Sequence, residues 1–350
     1  MRFVHDGQSP RVVFGAGSVK ELPSEIDRLG VSRALIVATP GRGELVGRIE
    51  SLIGHRAGGK FLGAQVHVPA DVATEAESLA KRVRADSIIS VGGGSAIGAA
   101  KAVALDTTFP IIAIATTYSG SEMTPIWGLS NHSGKRTGRD SRVMPRVVIY
   151  DPELTLDLPV AVSVASGFNA LAHCMESLYA SNATPLTSMT AVLGFEIVPS
   201  ALRRIVADPR STDAREDALY GAMLAGQALA ATQMGIHHKV CHVLAGSFGL
   251  PHAEAHAVLL PHSAAFNRDA APAEMDVIAA SIGADDAPGG LFDLGVELGA
   301  PRSLAVLGMR EADLDRAAEL VVERPYPNPR TVTREGVRAM LENAFRGERP

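Results

Sequence analysis

Six of the eleven histidines in this chain fall between His237 and His262, in the run GIHHKVCHVLAGSFGLPHAEAHAVLLPH. Imidazole is the side chain best suited to both metal ligation and proton transfer near neutral pH. His238 and His242 stand four residues apart and share one face of a helix; His252 follows beyond a turn containing Gly249 and Pro251. Upstream, Asn169 and His173 repeat the four-residue spacing in SGFNALAHCMESLYA. Two helical pairs and one further histidine resemble a four-ligand metal cage, with an amide at the corner where a carboxylate is expected. A lone histidine on an apolar face is ordinarily a core residue, whereas the paired spacing argues for shared function. His237, His256 and His262 fit that geometry less clearly and read as supporting or structural residues. Arg142, Arg146 and Arg330 are candidates to bind an anionic substrate, set against the plainer reading of solvated surface charge.

The second chemical signal is glycine. Gly92 to Ser95 lies between an apolar run and a helical pattern, where glycines let phosphate oxygens approach backbone N–H groups. It is not the GxGxxG fingerprint, because Ile97 takes the third glycine position, and a plain tight turn explains it equally well. A second loop, Thr116-Thr117-Tyr118-Ser119-Gly120-Ser121-Glu122, follows the next apolar run, and its hydroxyls suit a diphosphate or an amide. Loops at the carboxyl ends of neighbouring parallel strands form the crevice where open α/β sheets bind ligands.

The elements that must position these residues change character along the chain. Strands are expected at Arg11–Phe14, Arg33–Ala38, Lys60–Val68, Asp86–Val91 and Phe109–Ala115, alternating with helices near Val19–Leu29, over Thr74–Ala85 and from Ser95. After Val147–Tyr150 and the Asp151-Pro152 break the pattern becomes helical: Val164–Ala180, Pro185–Val206, Ala214–Thr232, Glu311–Val322 and Arg334–Phe345. Asp285–Gly290 reads as a loop, and the prolines of Pro325–Pro329 bar a continuous helix there. The expected architecture is an α/β N-terminal domain over residues 1–151, doubly wound on a mainly parallel sheet, and an all-α C-terminal domain over 152–350.

Bulk properties narrow the function classes. At 350 residues the chain has room for two domains, and 46% hydrophobic with 20% charged residues is an ordinary globular composition. The 33 Lys and Arg residues are scattered and the net charge is −5, so nucleic acid is not expected as a partner. The N-terminal stretch lacks the apolar region of a signal peptide, and no uninterrupted apolar run approaches the roughly 18–20 residues of a membrane span. The two cysteines, Cys174 and Cys241, suit a reducing compartment and read as small buried hydrophobes. A cytoplasmic protein with no membrane partner is expected.

With these residues in place, the chain resembles the iron-containing alcohol dehydrogenase family, whose architecture is shared with dehydroquinate synthase. The likeness spans nearly the whole length and rests on the GGGS turn, the TT-x-SGSE loop, the N-x3-H pair, the H-x3-H-x9-H series and the terminal NPR-x-VTREGVRAML segment. TTYSGSEMTPIWG, KRTGRD, MPRVVIYDP and SGFNALAHCMESLYA are similar to the branch that reduces maleylacetate to 3-oxoadipate in aromatic catabolism. That resemblance implies an oxidoreductase acting on a small dicarboxylate with NADH or NADPH, and a homodimer. It places the cofactor on Thr39, Gly93, Gly94, Ser95, Thr116, Thr117, Ser119, Ser121 and Lys135. Relatives often carry Asp where Thr39 stands; losing its repulsion of a 2′-phosphate, with Arg42 nearby, predicts use of both cofactors.

The family's four metal-ligand positions fall on Asn169, His173, His238 and His252, and its histidine beside the nicotinamide on His242. Asn169 is a neutral, poorer ligand than the usual Asp, so no metal is expected to be required. His242 is then expected to donate a proton, with His238, His173 and His252 polarising a ketone or holding a carboxylate. Tyr326 caps the pocket or serves structure. The competing readings are a metal-dependent dehydrogenase of a simple alcohol or aldehyde, and a cyclase or lyase like dehydroquinate synthase.

Overall fold

The computed structural model describes residues 2–7, 9–131 and 134–350, and the side chains at 131, 134 and 135 fall outside that description. The chain forms two compact units, Gln8–Leu158 and Pro159–Pro350 with the N-terminal Met1–Gly7 stretch. The division thus falls seven residues beyond Asp151, where the sequence pattern changes, and the first residues join the helical unit.

In the first unit the order is β1 (Arg11–Phe14), α1 (Leu22–Leu29), β2 (Ala34–Ala38), α2 (Gly43–Ile53), β3 (Ala57–Phe61), α3 (Ala70–Arg82), β4 (Ser87–Gly92), α4 (Gly94–Thr107), β5 (Ile111–Ala115), β6 (Ile126–Asn131), β7 (Gly134–Arg139) and β8 (Val147–Tyr150). Six strands make one parallel sheet in the order β1-β8-β5-β4-β2-β3. The central strands ALIVA, SIISVG and IIAIA are buried along their whole length, as strands covered by helices on both faces must be. Their alternate side chains feed two cores. Leu35, Val37, Ile88 and Ile111 pack with Val72 and Ala76 of α3 and Val103 of α4. Ile36, Ile89, Ile112 and Ile114 pack with Leu22 and Ile26 of α1 and Val46 and Ile49 of α2.

Two expectations in this unit are corrected. The strand expected over Lys60–Val68 is β3, Ala57–Phe61, because His67 and Val68 adopt left-handed backbone (φ 65° and 48°) that no strand accommodates. The antiparallel β6–β7 ribbon gives no clear alternation in sequence and was not expected.

The second unit contains α5 (Val160–Leu178), α6 (Pro185–Ala207), α7 (Thr212–Ala231), α8 (Ile236–Phe248), α9 (His252–Asn267), α10 (Pro272–Ile282), α11 (Ala287–Glu297), α12 (Leu314–Val322) and α13 (Arg334–Arg346). Hydroxyl and carboxylate caps start several of them: Thr184 in a capping box on α6, Ser211 on α7 and Thr333 on α13. The expected loop at Asp285–Gly290 is corrected to a helix start, since Asp286 caps α11 by accepting from the Gly289 N–H at 2.8 Å. Pro288 is tolerated in the first turn because a residue there has no helical acceptor for the N–H that proline lacks.

Among the described residues, α6 is the one helix long and apolar enough to cross a membrane by length and composition, which the sequence reading did not single out. It packs along α5 and α7. The packed core of α8, α9, α12 and α13 gathers Val240, Leu244, Leu259, Leu314, Val321, Val337 and Leu341. A three-residue turn, Gly249 to Pro251, joins α8 to α9 and folds the two histidine-bearing helices into a hairpin.

Candidate active site

The glycine turn and the hydroxyl loop are neighbours in the first unit. β4 and β5 pair with Gly92 opposite Ala115, and the Thr116 N–H donates to the Gly92 carbonyl at 3.1 Å. The turn needs glycine at Gly93: a Cβ there would lie 2.5 Å from Thr117 Oγ1. At Gly94 the first turn of α4 is exposed, leaving its N–H groups open. Ser95 follows in that turn and Ser119 lies beside Gly94, so the arrangement suits a diphosphate. The buried Thr116 hydroxyl has no hydrogen-bond partner. Thr39 stands at the carboxyl end of β2, half-buried, with Arg42 donating its N–H to the Thr39 carbonyl at 3.1 Å. Ser121 lies further along the hydroxyl loop. Lys135 belongs to β7, and its side chain lies outside the described residues.

In the second unit, α5, α8 and α9 bring the expected histidines together. The His173 and His238 rings stack at 4.9 Å between centroids. His238 meets His242 edge-on at 6.3 Å, and His242 stacks on His252 at 5.7 Å. His173 and His238 are buried, while Asn169, His242 and His252 are half-buried. Asn169 Oδ1, His173 Nδ1 and His238 Nε2 are buried without a hydrogen-bond partner. The Asn169 oxygen and nitrogen are interchangeable by an amide flip, so this corner can present either an acceptor or a donor.

Glu176 is the residue that sequence reasoning missed. It lies one turn beyond His173 on α5 and is fully buried. Its carboxylate accepts from His238 Nδ1 at 2.6 Å, from the Gly235 N–H at 3.0 Å and from the His237 N–H at 2.8 Å. One carboxylate therefore caps α8 and orients its first catalytic candidate. Burial alone would raise the Glu176 carboxyl, but the His238 hydrogen bond and the neighbouring imidazoles outweigh it and hold it below the usual range. Gly235 makes this possible, because a Cβ would lie 2.8 Å from Asn328 Oδ1 and 3.2 Å from Glu176 Oε1.

His237 and His256 belong to a hydrogen-bonded chain. Ser263 Oγ meets His237 Nδ1 at 3.0 Å, His237 Nε2 meets His256 Nδ1 at 2.8 Å, and His256 Nε2 meets His252 Nε2 at 3.3 Å. Burial pulls His237 down to about 3 and His262 to about 4, and it drives His173 and His256 well below the ordinary value. Burial therefore favours the neutral form of these four rings. The Cys174 and Cys241 thiols are buried and pushed up, Cys174 to about 12, in line with their reading as hydrophobes.

Two of the arginines considered for an anion are occupied locally. Arg142 forks onto Asp140 and donates to the Leu105 carbonyl at 3.0 Å, and Arg330 lies 4.4 Å over the Phe266 ring. Asn328 straps its loop to the start of α8, accepting from the Ile236 N–H at 3.2 Å and exchanging amide hydrogen bonds with Asn267. Tyr326 sits in that loop with a buried, unpartnered hydroxyl, and burial raises its pKa.

Among the described residues, the one trio of His, Cys or carboxylate atoms gathered within 4.8 Å is His237, Cys241 and His256. Its two imidazole nitrogens are only 2.8 Å apart and share a hydrogen bond. Two nitrogens on a tetrahedral ion with bonds of about 2.0–2.1 Å stand roughly 3.3 Å apart, so an ion there would first have to break that bond.

Comparison with known proteins agrees with the sequence pattern. Residues 9–152 match the family described as iron-containing alcohol dehydrogenase, and residues 163–345 match the C-terminal part of the same family. The chain is 49% identical to a maleylacetate reductase of Burkholderia cepacia, over 99% of each chain, and 48% identical to one of Pseudomonas knackmussii, over 100% of this chain and 99% of that one. The crystal structure of maleylacetate reductase from Agrobacterium tumefaciens superposes with a TM-score of 0.95 at 46% identity, covering 100% of both chains. The chain belongs to the iron-containing alcohol dehydrogenase family.

Proposed function

We propose that this chain is an oxidoreductase that reduces the carbon–carbon double bond of maleylacetate to give 3-oxoadipate, using NADH or NADPH. The observation that carries this reading is the set of buried, unpartnered polar atoms on α5 and α8: Asn169 Oδ1, His173 Nδ1 and His238 Nε2. They offer hydrogen bonds to a polar substrate where a simple-alcohol dehydrogenase needs a dication. Similarity to curated maleylacetate reductases along the whole chain supports the same substrate.

A bound nicotinamide cofactor would supply the hydride, and the alkene carbon remote from the ketone would receive it. The first turn of α4, exposed at Gly94 and half-buried at Ser95, would hold the diphosphate together with Thr117 and Ser119. The electron pair displaced from the alkene becomes an enolate, whose oxygen needs a donor and whose α-carbon needs a proton. His238, fixed at Nδ1 by Glu176, offers Nε2 to the enolate oxygen when it carries both protons. His242 is the proton donor, and His173, His252 and Asn169 hold the ketone or a carboxylate. No step is routed through a metal.

Consumption of NADH with maleylacetate, repeated after exhaustive chelation and with elemental analysis, tests the reading. Unchanged turnover after chelation is expected; no turnover with maleylacetate sinks the substrate, and loss on chelation sinks the metal-free mechanism. NADH and NADPH are both expected to serve, and a ratio of specificity constants beyond roughly a thousand, about 4 kcal/mol, would exclude this. Leu186, Met189 and Leu193 form an exposed apolar row on α6 that supports the expected homodimer. Sedimentation as a monomer at micromolar concentration would remove it. The two buried free thiols suit the expected cytoplasmic setting.

A further inference from the structure

Among the fully buried cations that the mechanism does not use, Lys101 lies nearest in sequence to the glycine turn. Lys101 of α4 is completely enclosed, and its Nζ donates to the carbonyls of Ser121 at 2.7 Å, Thr124 at 2.7 Å and Ile126 at 2.8 Å, and to Thr124 Oγ1 at 3.0 Å. An ammonium carries three donors, so these acceptors use all of them, with one shared. Thr124 Oγ1 in turn donates to the Ser121 carbonyl at 3.1 Å and accepts from the Ile126 N–H at 3.3 Å. At the other side of the same loop, the buried Glu122 carboxylate accepts from the Tyr150 hydroxyl at 2.7 Å. The loop that follows β5 is thus tied to α4 by a cation and to β8 by an anion.

Burying a charge is costly, and packing alone does not require one. Burial pulls Lys101 down to about 7, with the Glu122 charge opposing, and burial raises the Glu122 carboxyl. What the ammonium does and an apolar side chain cannot is gather three carbonyls from one loop onto one point. The point belongs to the helix whose first turn is the glycine turn.

We propose that Lys101 is a positioning residue for the dinucleotide, setting the hydroxyl loop Thr116–Ser121 against the Gly93–Ser95 turn so that both reach one diphosphate. The inference rests on the cofactor site described above. A helix and a loop that drift apart lose the joint grip, because diphosphate contacts depend on placement within a fraction of an ångström.

Lys101→Met keeps the length and removes the donors, and Thr124→Val removes a single acceptor for the case in which the methionine variant does not fold. NADH binding is read by fluorescence titration, and loop order by hydrogen–deuterium exchange. Lys101→Met is expected to weaken NADH binding at least tenfold and Thr124→Val about threefold. Exchange is expected to accelerate in residues 119–126 while β2 and α2 stay as in the parent, and the KM for maleylacetate is expected not to move. Wild-type affinity in either folded variant overturns the proposal, as does an equal rise in exchange across the whole first unit, which would mark general loosening. If the parent protein itself binds no NADH, the cofactor reading fails instead, and unaltered exchange at 119–126 still decides against Lys101 as the loop's organiser.

Discussion

Two buried polar regions of this protein follow opposite rules. Around Lys101 and Glu122 the charged atoms are met: the ammonium by four acceptors, the carboxylate by the Tyr150 hydroxyl. On the histidine face, Asn169 Oδ1, His173 Nδ1 and His238 Nε2 are buried and unmet, as is the Tyr326 hydroxyl. A buried polar group left without a partner costs about 1–3 kcal/mol, and several together are a large fraction of a domain's stability. Such a cost persists where a ligand supplies the missing partners. Completed networks hold backbone in place, and incomplete ones bind. The unpartnered Thr116 hydroxyl, beside the glycine turn, falls on the binding side of that line.

The sharpest way to break the contrast is at His242. Replacing it with Asn is expected to lower kcat by about 10²–10⁴, the usual worth of a positioned proton donor, with little change in melting temperature. An effect below tenfold would reassign the proton. Glu176 tests the reverse, because it is a completed group inside the incomplete region. Glu176→Ala strips the cap of α8 and the partner of His238, and about 3–5 kcal/mol of stability should go with it, read from urea unfolding. A loss under 1 kcal/mol would show that the carboxylate serves the reaction alone.

Protonation sharpens the comparison further. His237 and His262 are depressed in the folded protein to about 3 and about 4 from 6.5, and His173 and His256 move the same way. The unfolded chain therefore binds more protons below pH 6.5, so stability is full above that value and is lost as the pH falls through the window toward 4. At pH 5 each such ring should cost up to about 2 kcal/mol, and a flat urea midpoint between pH 7.5 and 5 would contradict the burial of these rings. The smallest expected effect is at Ser263. Its change to Ala removes the end of the histidine chain and should destabilise by about 1 kcal/mol, and a several-fold larger effect would mean that the chain acts as one unit.

Much of this was legible beforehand. Apolar runs such as IIAIA and the long helical patterns of α5, α6, α7 and α13 announce themselves because burial imposes a period on the residues. The pairs Asn169/His173 and His238/His242 could be placed on common faces for the same reason. Local chemistry misled where context overrode it: Asp285–Gly290 reads as a loop yet holds the cap and first turn of a helix, and the residues after Phe61 read as strand yet turn at His67 and Val68.

The sequence by itself determined the central strands, the long helices, the glycine turn, the histidine faces and the family, all of which are written in residues close together or in motifs. The tertiary structure decided which polar atoms found partners. Glu176 meets His238 across 62 positions, Ser263 meets His237 across 26, and Lys101 reaches its carbonyls across 20 to 25. No periodicity records such pairs, because a hydrogen bond depends on where folding brings two atoms and not on how far apart they stand along the chain.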